Sequence, residues 1–480
     1  MSRATAVAMI VLLGLYAGAC CGAPGDLLGS DQRDVIAGAF THPVLTDAEV
    51  DLYITETRAK ISTQGGSVYF RYPGISGVTV GGQELPGTLV TPGLVRVELP
   101  AGTHVVEVLT DGSGADTIPA SSSDGLPGTS EELEAAVEAA SPGDEVVMRD
   151  GIYRDFTARL SGRGTPEAPI VVRPETPGSV IFHGATAITL TGEALVLRGF
   201  RFEECYPTGI VQIDTASDCR VTQCHFTRCG NPRSTFSHIL RVSMGSDRNR
   251  VDHCFFTGSK SMSVGQAISL DGEVGRDNRY DHNIIRDIFR YSSNGQENIQ
   301  IGQNQRERGH IEPRAVIEYN LFNYAWGDGE IISNKSSRNI IQHNLAAHCI
   351  RSGVTLRGGN EVRVDGNVLV NNAVGLRVMG KRHTIVNNLF LRQLGAAIRL
   401  ETGRLDSRLN IETDGTTIAN NTIIDCESGI IGMAPTEVRP HKPFDNQFLN
   451  NLITGSTGTL LETEYFDDSE VSNNLLYATG

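Results

Sequence analysis

The chain has 480 residues, a net charge of −15 and 53 glycines, but only one tryptophan. This length suits one large core with a smaller accessory domain. The acidic balance excludes a general nucleic-acid binder, which would carry a basic surface, but a local basic groove for an acidic polymer remains compatible with it. Abundant glycine and many short apolar runs favour an all-β protein over a helical bundle.

The first segment of the chain predicts export. Residues 1–23 combine a basic start with an apolar run that is typical of a signal peptide and too short to span a membrane. The stretch Ala17-Gly-Ala-Cys20 resembles a lipoprotein box, so a lipid anchor at Cys20 or Cys21 and ordinary cleavage nearby are both open. In either case we expect a periplasmic, outer-membrane-anchored or secreted protein without a membrane span.

The next segment, residues 24–115, predicts a small β-rich accessory domain. Alternating runs between Ser67 and Val108, separated by Gly and Pro turns, indicate a β-sandwich-like arrangement. Before these runs, Ala48 to Ile61 is compatible with a short helix. Residues 116–127, at the end of a stretch rich in Gly, Ser, Ala and Asp, are predicted to form a linker.

The remaining segment, residues 128–480, opens with a predicted helix. Thr129 can cap this helix, and Glu132 three residues later can complete a capping box. Leu133 and Val137 fall on one face of it. Such a helix would cap the open end of a solenoid, whose edge strands otherwise invite aggregation.

Ten short segments beyond residue 220 repeat one pattern, in which an apolar residue, two variable residues and a small polar residue precede further apolar residues. Successive polar positions lie 21 to 37 residues apart, a spacing typical of solenoids. We expect these polar residues to stack from coil to coil as a hydrogen-bonded ladder at a turn, where Asn tolerates unusual backbone angles. The intervening strands are too short and too closely spaced for helical crossovers, so the pattern predicts a right-handed parallel β-helix. The polar positions are Cys224, Cys254, Asn283, Asn320, Asn344, Asn367, Asn388, Asn421, Asn451 and Asn474.

The seven cysteines beyond residue 23 show no metal-binding spacing. Their odd number in an exported chain leaves a disulfide such as Cys219 with Cys229 open. Buried thiols are favoured, because two of the cysteines occupy ladder positions.

Several charged and amide residues recur 8 to 15 residues after the ladder position of successive coils. Residues at a similar distance from the ladder position fall on one face of a β-helix, where neighbouring coils lie about 5 Å apart. Oxygen donors in such a column suit a hard cation, most naturally Ca²⁺. A lysine beside them can lose its proton and abstract a proton from a uronic acid, which begins a β-elimination. The column comprises Asn294, Glu297, Asp328, Glu330, Lys335, Arg357, Arg377 and Arg399.

Each of these residues taken singly also has a simpler interpretation. Asp-Gly-Glu at a coil corner is often a solvated turn, and a lone Lys or Arg on a strand is usually exposed to solvent. Arg377 and Arg399 could merely pair with a neighbour such as Glu401, and exposed pairs of that kind contribute little.

The segment Trp326-Gly-Asp-Gly-Glu-Ile-Ile-Ser-Asn-Lys-Ser336 resembles the central motif of polysaccharide lyase family 6, which contains alginate lyases and chondroitinase B. The likeness extends over roughly residues 125 to 480. It implies a right-handed parallel β-helix that cleaves uronate polysaccharides by Ca²⁺-assisted β-elimination. The other matching motifs begin at Pro142, Asn294, Val354 and Gly375.

The resemblance also implies individual roles. Lys335 falls on the family's Brønsted base and Arg357 on its Brønsted acid. The implied calcium ligands are Asn294, Asp328 and Glu330, to which Glu297 is added as a match to alginate-cleaving members. The expected substrate contacts are Gln300, Arg377 and Arg399. The chain departs from the usual family pattern at Asp328, Gly358 and Gln300, where Glu, His and Arg are usual.

Alginate is the expected substrate, because the Asn294-Gly-Gln-Glu297 segment is most similar to the alginate-cleaving members. Three alternatives stay open: a chondroitin or dermatan lyase, a β-helix glycoside hydrolase and a non-catalytic surface binder of carbohydrate. The hydrolase would use Asp328 and Glu330 as its acid and base. The expected partner is an acidic polysaccharide, and the protein is expected to be a monomer.

Overall fold

The computed structural model describes residues 125–478 except 232–236, 268–272, 293, 303–309 and 405–410, together with the strands and some turn residues between 44 and 110. The chain divides into two compact units, Met1–Ala120 and Ser121–Gly480. The predicted signal peptide and the candidate anchors Cys20 and Cys21 lie outside the described residues. In the described part of the chain, no helix is long and apolar enough to cross a membrane.

The described strands of the first unit form two antiparallel sheets, of four and five strands. The strands Val50–Ile54 and Arg58–Thr63 pair as neighbours, so the helix expected near this position is wrong. The pattern Val50-Asp-Leu-Tyr-Ile54 alternates apolar and polar residues with period two, which is the periodicity of a strand. The strands of this unit are Val44–Thr46, Val50–Ile54, Arg58–Thr63, Gly66–Arg71, Ile75–Val80, Gln83–Leu85, Thr88–Thr91, Leu94–Leu99 and Gly102–Thr110.

The second unit begins with the helix Ser130–Ala139, here called α1. The Thr129 hydroxyl accepts a hydrogen bond from the Glu132 backbone N–H, and the Glu132 carboxylate accepts one from the Thr129 N–H, so the predicted capping box is present. Leu133 and Val137 are buried in the same core as the first coils. The helix therefore covers the open end of the solenoid, as the sequence predicts.

Three long parallel sheets follow; the first eleven coils contribute one strand to each sheet, and the last two described coils contribute strands to the first and second sheets only. This is the right-handed parallel β-helix that the sequence predicts. The first sheet contains Glu145–Met148, Ile170–Pro174, Leu195–Arg198, Arg220–Thr222, Arg250–Asp252, Arg279–Asp281, Val316–Glu318, Ile340–Gln342, Arg363–Asp365, Thr384–Val386, Thr417–Ala419, Gln447–Leu449 and Glu470–Ser472. The second sheet contains Gly151–Arg154, Val180–Gly184, Arg201–Cys205, His225–Thr227, Phe255–Thr257, Ile284–Ile288, Leu321–Ala325, Leu345–Ala347, Val368–Val370, Leu389–Leu391, Thr422–Ile424, Leu452–Thr454 and Leu475–Tyr477. The third sheet contains Thr157–Leu160, Ala187–Leu190, Val211–Ile213, His238–Val242, Met262–Gln266, Ile299–Ile301, Glu330–Asn334, Gly353–Leu356, Leu376–Val378, Ala396–Leu400 and Ser428–Gly432. A separate parallel pair is formed by Gly380–Lys381 and Thr413–Asp414.

The core runs along the axis of the coils as stacks of like side chains. Phe182, Phe202, Phe226 and Phe256 stack with ring centroids 5.1, 4.8 and 4.7 Å apart. Because paired positions in parallel strands superpose from coil to coil, each coil buries its apolar residues on those of the next. The seven cysteines from residue 205 onward are free and buried, which agrees with the prediction that favours buried thiols over a disulfide.

The asparagine ladder lies at the turn between the first and second sheets. From Asn283 to Asn451, each ladder Asn donates its backbone N–H and its side-chain N–H to Oδ1 of the next, at 2.9–3.0 Å. The unusual backbone angle, however, belongs to the residue before each ladder position, with φ between 50° and 64°. The prediction that Asn itself adopts this angle is therefore displaced by one residue. The left-handed residue bends the chain from the first sheet into the second, and the ladder amide that follows it is buried.

Candidate active site

The candidate residues lie on and beside the third sheet, in two rows that run from coil to coil. In the first row, Ser333 pairs with Gln300 on one side and with Thr355 on the other. Thr355 then pairs with Arg377, which pairs with Arg399. Residues paired in this way lie about 4.8 Å apart along the sheet. Of the column predicted from ladder phase, this row contains only Arg377 and Arg399, whereas Asn294, Asp328 and Glu330 lie at or before the start of their strands.

The second row stands two residues further along each strand, on the same face. The Arg357 N–H donates to the Asn334 carbonyl at 2.7 Å. Arg357 therefore lies directly beside Lys335, one coil further along the chain. Two coils beyond Arg357, the Glu401 N–H donates to the Val378 carbonyl at 3.0 Å. Lys335, Arg357 and Glu401 thus belong to one row.

The Lys335 amine is buried among oxygen atoms. The residue follows the strand Glu330–Asn334 and is 6% exposed. Its Nζ donates to Glu297 Oε1 at 3.0 Å and to Gln300 Oε1 at 2.5 Å. Gln300, expected as a substrate contact, is placed against Lys335, and its own amide donates to the Gly302 carbonyl. The side-chain oxygens of Glu297 and Gln300 fix the direction of the amine.

Arg357 is held by the carboxylate of the preceding coil. Its Nη1 donates to Glu330 Oε1 at 3.0 Å, while its buried Nε–H has no hydrogen-bond partner. The second oxygen of Glu330 accepts a hydrogen bond from the Ser333 hydroxyl. The Arg357 side chain is 30% exposed and lies one coil from the lysine amine, so its guanidinium can donate to an atom placed between the two groups.

Asp328 organises the turn that carries the other acidic residues. One carboxylate oxygen accepts hydrogen bonds from the Gly295 and Gln296 backbone N–H groups at 3.1 and 3.2 Å, and the other accepts one from the Glu330 N–H. Burial first, and then the negative charge of Glu297, raises the pKa of Asp328 to about 7. Glu330 adds to this effect. Asp328 therefore lies in a site where burial and two neighbouring carboxylates both disfavour its charged form.

A calcium ion suits the chemistry of these donors. Glu297 Oε2 is buried without a hydrogen-bond partner, and the pKa of Asp328 is raised first by burial and then by the charge of Glu297. Among the described residues, however, no group of three or more His, Cys, Asp or Glu side chains is gathered to hold a metal ion. Asn294 is exposed, and its backbone exchanges hydrogen bonds with Ser292. The residues thus fit a hard cation in kind and charge, and binding would require Asp328 and Glu330 to exchange present partners for the ion.

The two expected substrate arginines meet at a carboxylate that the sequence suggested only as a possible neighbour. Glu401 is buried and accepts hydrogen bonds from Arg377 Nε at 3.1 Å and Arg399 Nε at 3.0 Å. Sequence reasoning missed Arg439, whose Nη1 donates to the other Glu401 oxygen at 3.0 Å. Glu401 follows Arg399 by two residues, so strand periodicity could have placed both on one face. Arg439 lies 38 residues further along the chain and gave no such signal.

The chain matches the profile of the family described as Chondroitinase B over residues 128–479. A comparison with curated protein sequences gave no match. Among solved structures, it resembles a mannuronic acid specific polysaccharide family 6 lyase from human gut microbiota, with 24% identity and a TM-score of 0.61 over 71% of this chain and 80% of that one.

Two other similar structures belong to the same lyase family. The alginate lyase AlyGC is 26% identical, with a TM-score of 0.64 over 72% of this chain, which spans about half (51%) of that enzyme. The lyase Pedsa3628 from Pseudopedobacter saltans is 22% identical, with a TM-score of 0.60 over 73% of this chain and 91% of that one. The residues that the family profile matches coincide with the β-helix that carries the candidate site.

Proposed function

The chain belongs to the chondroitinase B family of polysaccharide lyases, polysaccharide lyase family 6, and from this premise we propose that it is an exported enzyme that cleaves alginate by β-elimination. The observation that carries the proposal is the row that sets Arg357 beside Lys335 in adjacent coils, each oriented by a buried carboxylate. The names of similar enzymes, which include an alginate lyase and a mannuronic acid specific lyase, support alginate as substrate.

In this mechanism Lys335 acts as the base. Its amine, held by Glu297 and Gln300, takes the proton from C5 of the uronate residue. The electron pair of the broken C–H bond forms the C4–C5 double bond, and the bond between C4 and the glycosidic oxygen breaks. The amine must be neutral for this step, so it delivers a proton to solvent before each turnover.

Arg357 completes the reaction on the leaving group. Its guanidinium lies one coil away from the lysine on a side chain that is 30% exposed, and it donates a proton to the departing glycosidic oxygen. Glu330 holds the guanidinium in this position and stabilises its charged form between turnovers. One product chain therefore ends in an unsaturated uronate, and the other ends in a hydroxyl group.

Calcium is part of the proposal, with Asn294, Asp328 and Glu330 as its ligands and Glu297 as an additional donor. When bound, the ion would supply positive charge that neutralises the substrate carboxylate and makes the C5 proton more acidic. Asp328 has a shorter side chain than the glutamate usual in the family. Its carboxylate also accepts hydrogen bonds from the Gly295 N–H in one coil and the Glu330 N–H in the next. These bonds fix the spacing of the donors.

The test is a panel of polymers incubated with the full chain. Alginate, polymannuronate, polyguluronate, chondroitin sulfate, dermatan sulfate and a neutral glucan are compared, with and without a calcium chelator. The proposal expects ultraviolet absorbance from unsaturated ends with alginate, and loss of that signal with the chelator.

Each alternative has its own outcome in this panel. Unsaturated ends only from chondroitin or dermatan sulfate would assign the enzyme to those polymers. New reducing ends without unsaturation would identify a hydrolase, and binding without cleavage would identify a carbohydrate binder. Any of these results would replace the alginate proposal.

A further inference from the structure

Three arginines converge on one buried carboxylate beside the candidate site. We name them the arginine cluster: Arg377, Arg399 and Arg439. Two of them come from neighbouring strands of the third sheet, and the third comes from a short hairpin closed by Thr436 and Arg439. A residue of that hairpin thus reaches back to the sheet that carries Lys335.

Glu401 is placed to orient these guanidinium groups rather than to neutralise them. Its side chain is 2% exposed, whereas the three arginine side chains are 25–30% exposed. One carboxylate cannot balance three guanidinium charges, so the cluster keeps a net positive charge that faces solvent. Each guanidinium has five N–H donors and uses only part of them on Glu401. The remaining donors are available to an anion.

The cluster is also connected to the catalytic residues. Arg377 Nη1 lies 3.9 Å from Glu330 Oε1, the same oxygen that holds Arg357. Glu401 stands two coils beyond Arg357 in the same row, a distance of roughly 10 Å at the usual spacing of strands. A polymer lying along this row would therefore present further groups to the cluster while its reacting residue contacts Lys335.

We propose that Glu401 positions the arginine cluster to bind the carboxylate of a second uronate residue of the same polymer chain. This inference rests on the proposed uronate substrate. Arginine suits the task because its planar fork can bind a carboxylate with two parallel hydrogen bonds. Arg439 is assigned as a specificity-determining contact, and Glu401 as a positioning residue that does not itself touch the substrate.

The decisive experiment exploits the sign of a charge change. Glu401→Gln removes a negative charge, so a purely electrostatic account expects tighter binding of anionic oligomers. The positioning account expects the opposite, because the guanidinium groups lose their common anchor. We expect the KM for a uronate tetrasaccharide to rise about tenfold, with a smaller change in kcat, in line with the usual strength of hydrogen bonds to charged groups.

A matched control removes a similar carboxylate elsewhere. Glu361 accepts hydrogen bonds from Arg338 at 2.9 Å and Arg382 at 2.8 Å, outside the row of candidate residues. Glu361→Gln should leave the KM unchanged. An unchanged or lowered KM in Glu401→Gln would overturn the positioning role. Should that variant fail to fold, Arg439→Gln carries the test, with the same expected rise in KM and a weaker dependence of KM on salt.

A binding measurement separates this inference from the proposed activity. Tetrasaccharide binding is measured by calorimetry in Lys335→Ala and in the same variant with Arg439→Gln added. About tenfold weaker binding in the double variant supports the cluster, even if the wild-type chain cleaves no polymer and the lyase proposal fails. Equal binding in the two variants, or no binding in either, overturns the inference even if the wild-type chain is an active lyase.

Discussion

Each coil of the second half carries the same side chain at the turn between the first and second sheets, while its outward residue on the third sheet differs from that of the next coil. At the turn, Asn320, Asn344 and Asn367 accept and donate equivalent hydrogen bonds. On the third sheet, Ser333 is followed by Thr355 and then by Arg377. The repeated position stabilises the stack of coils, and the varied positions gather different chemical groups on one surface.

The two regions also differ in how completely their polar atoms are satisfied. The ladder amides donate and accept within the chain, as buried polar groups normally do. The candidate site leaves Glu297 Oε2 and Arg357 Nε without partners, and the pKa of Asp328 is raised to about 7, first by burial and then by neighbouring carboxylates. Buried atoms without partners also occur elsewhere in the coils, as at Ser237 and Thr402, so the candidate site differs from the ladder by its charged groups and not by unpaired atoms alone.

The largest expected effect is on catalysis alone. Lys335→Ala should lower kcat on alginate by about 1000-fold, because a positioned general base contributes on the order of 100- to 10,000-fold. Product absorbance is measured at a temperature where circular dichroism shows the variant folded. Arg314→Ala, which removes an exposed cation paired with Asp277, serves as the control and should keep full activity. A Lys335→Ala enzyme within tenfold of wild type would contradict the assigned base.

The opposite result is expected at the ladder. Asn344→Ala removes the acceptor of two hydrogen bonds from Asn320 and several donated bonds, so the free energy of unfolding should fall by about 3 kcal/mol. At the ladder's end, Asn474 accepts two bonds from Asn451 and donates to the Phe448 and Ser472 carbonyls, but it is only half-buried, so water can replace these bonds and Asn474→Ala should cost about 1 kcal/mol. Urea unfolding measures both, and the kcat of folded protein should stay at the wild-type value. Equal losses of unfolding free energy in the two variants would show that an interior ladder residue stabilises the fold no more than the last one.

Calcium binding gives an effect of intermediate size that is independent of activity. At one hundred times its dissociation constant, calcium should stabilise the wild-type chain by about 2.7 kcal/mol, seen as a rise in melting temperature. Asp328→Asn should lose most of this rise, because one ligand charge is removed. Magnesium serves as the control ion, since it prefers a smaller octahedral site. A calcium shift that is unchanged in Asp328→Asn would remove this residue from the ligand set.

The smallest effect concerns a turn on the other side of the first sheet. His383 is buried, and its ring nitrogens contact the Val362 N–H and the Met379 carbonyl. Burial lowers the pKa of His383 to about 4, and the nearby Arg382 acts in the same direction. The unfolded chain takes up this proton near pH 6.5, so the folded state is favoured above that pH and loses stability as the pH falls toward 4.

Between pH 7.5 and pH 5, this histidine should cost about 2 kcal/mol of unfolding free energy. His383→Asn places at this turn the residue that fills equivalent positions such as Asn339 and Asn446. The variant should therefore be less sensitive to acid than wild type, as measured by melting curves at the two pH values. A parallel decline in both proteins would rule out His383 as the cause.

Much of the fold could be predicted because each coil of a solenoid repeats the same residue pattern at a regular spacing. The ladder from Asn283 to Asn474 and the cap at Thr129 are local patterns, and each forms as expected. The backbone angle was misplaced by one residue, since the sequence identifies which side chain repeats but not which residue bends. The helix predicted at Val50 is wrong for a different reason, because the local alternation with period two already indicates the strand that forms there.

The sequence by itself determined the coil repeat, the capping helix and the set of charged residues that recur in phase, because all three depend on spacing along the chain. Tertiary structure decided which of these residues touch. Coil length varies from 21 to 37 residues, so register rather than counting sets Arg357 beside Lys335 and Arg377 beside Arg399. It also decided that Arg439 reaches Glu401, because a hairpin's direction follows from packing that no local pattern encodes.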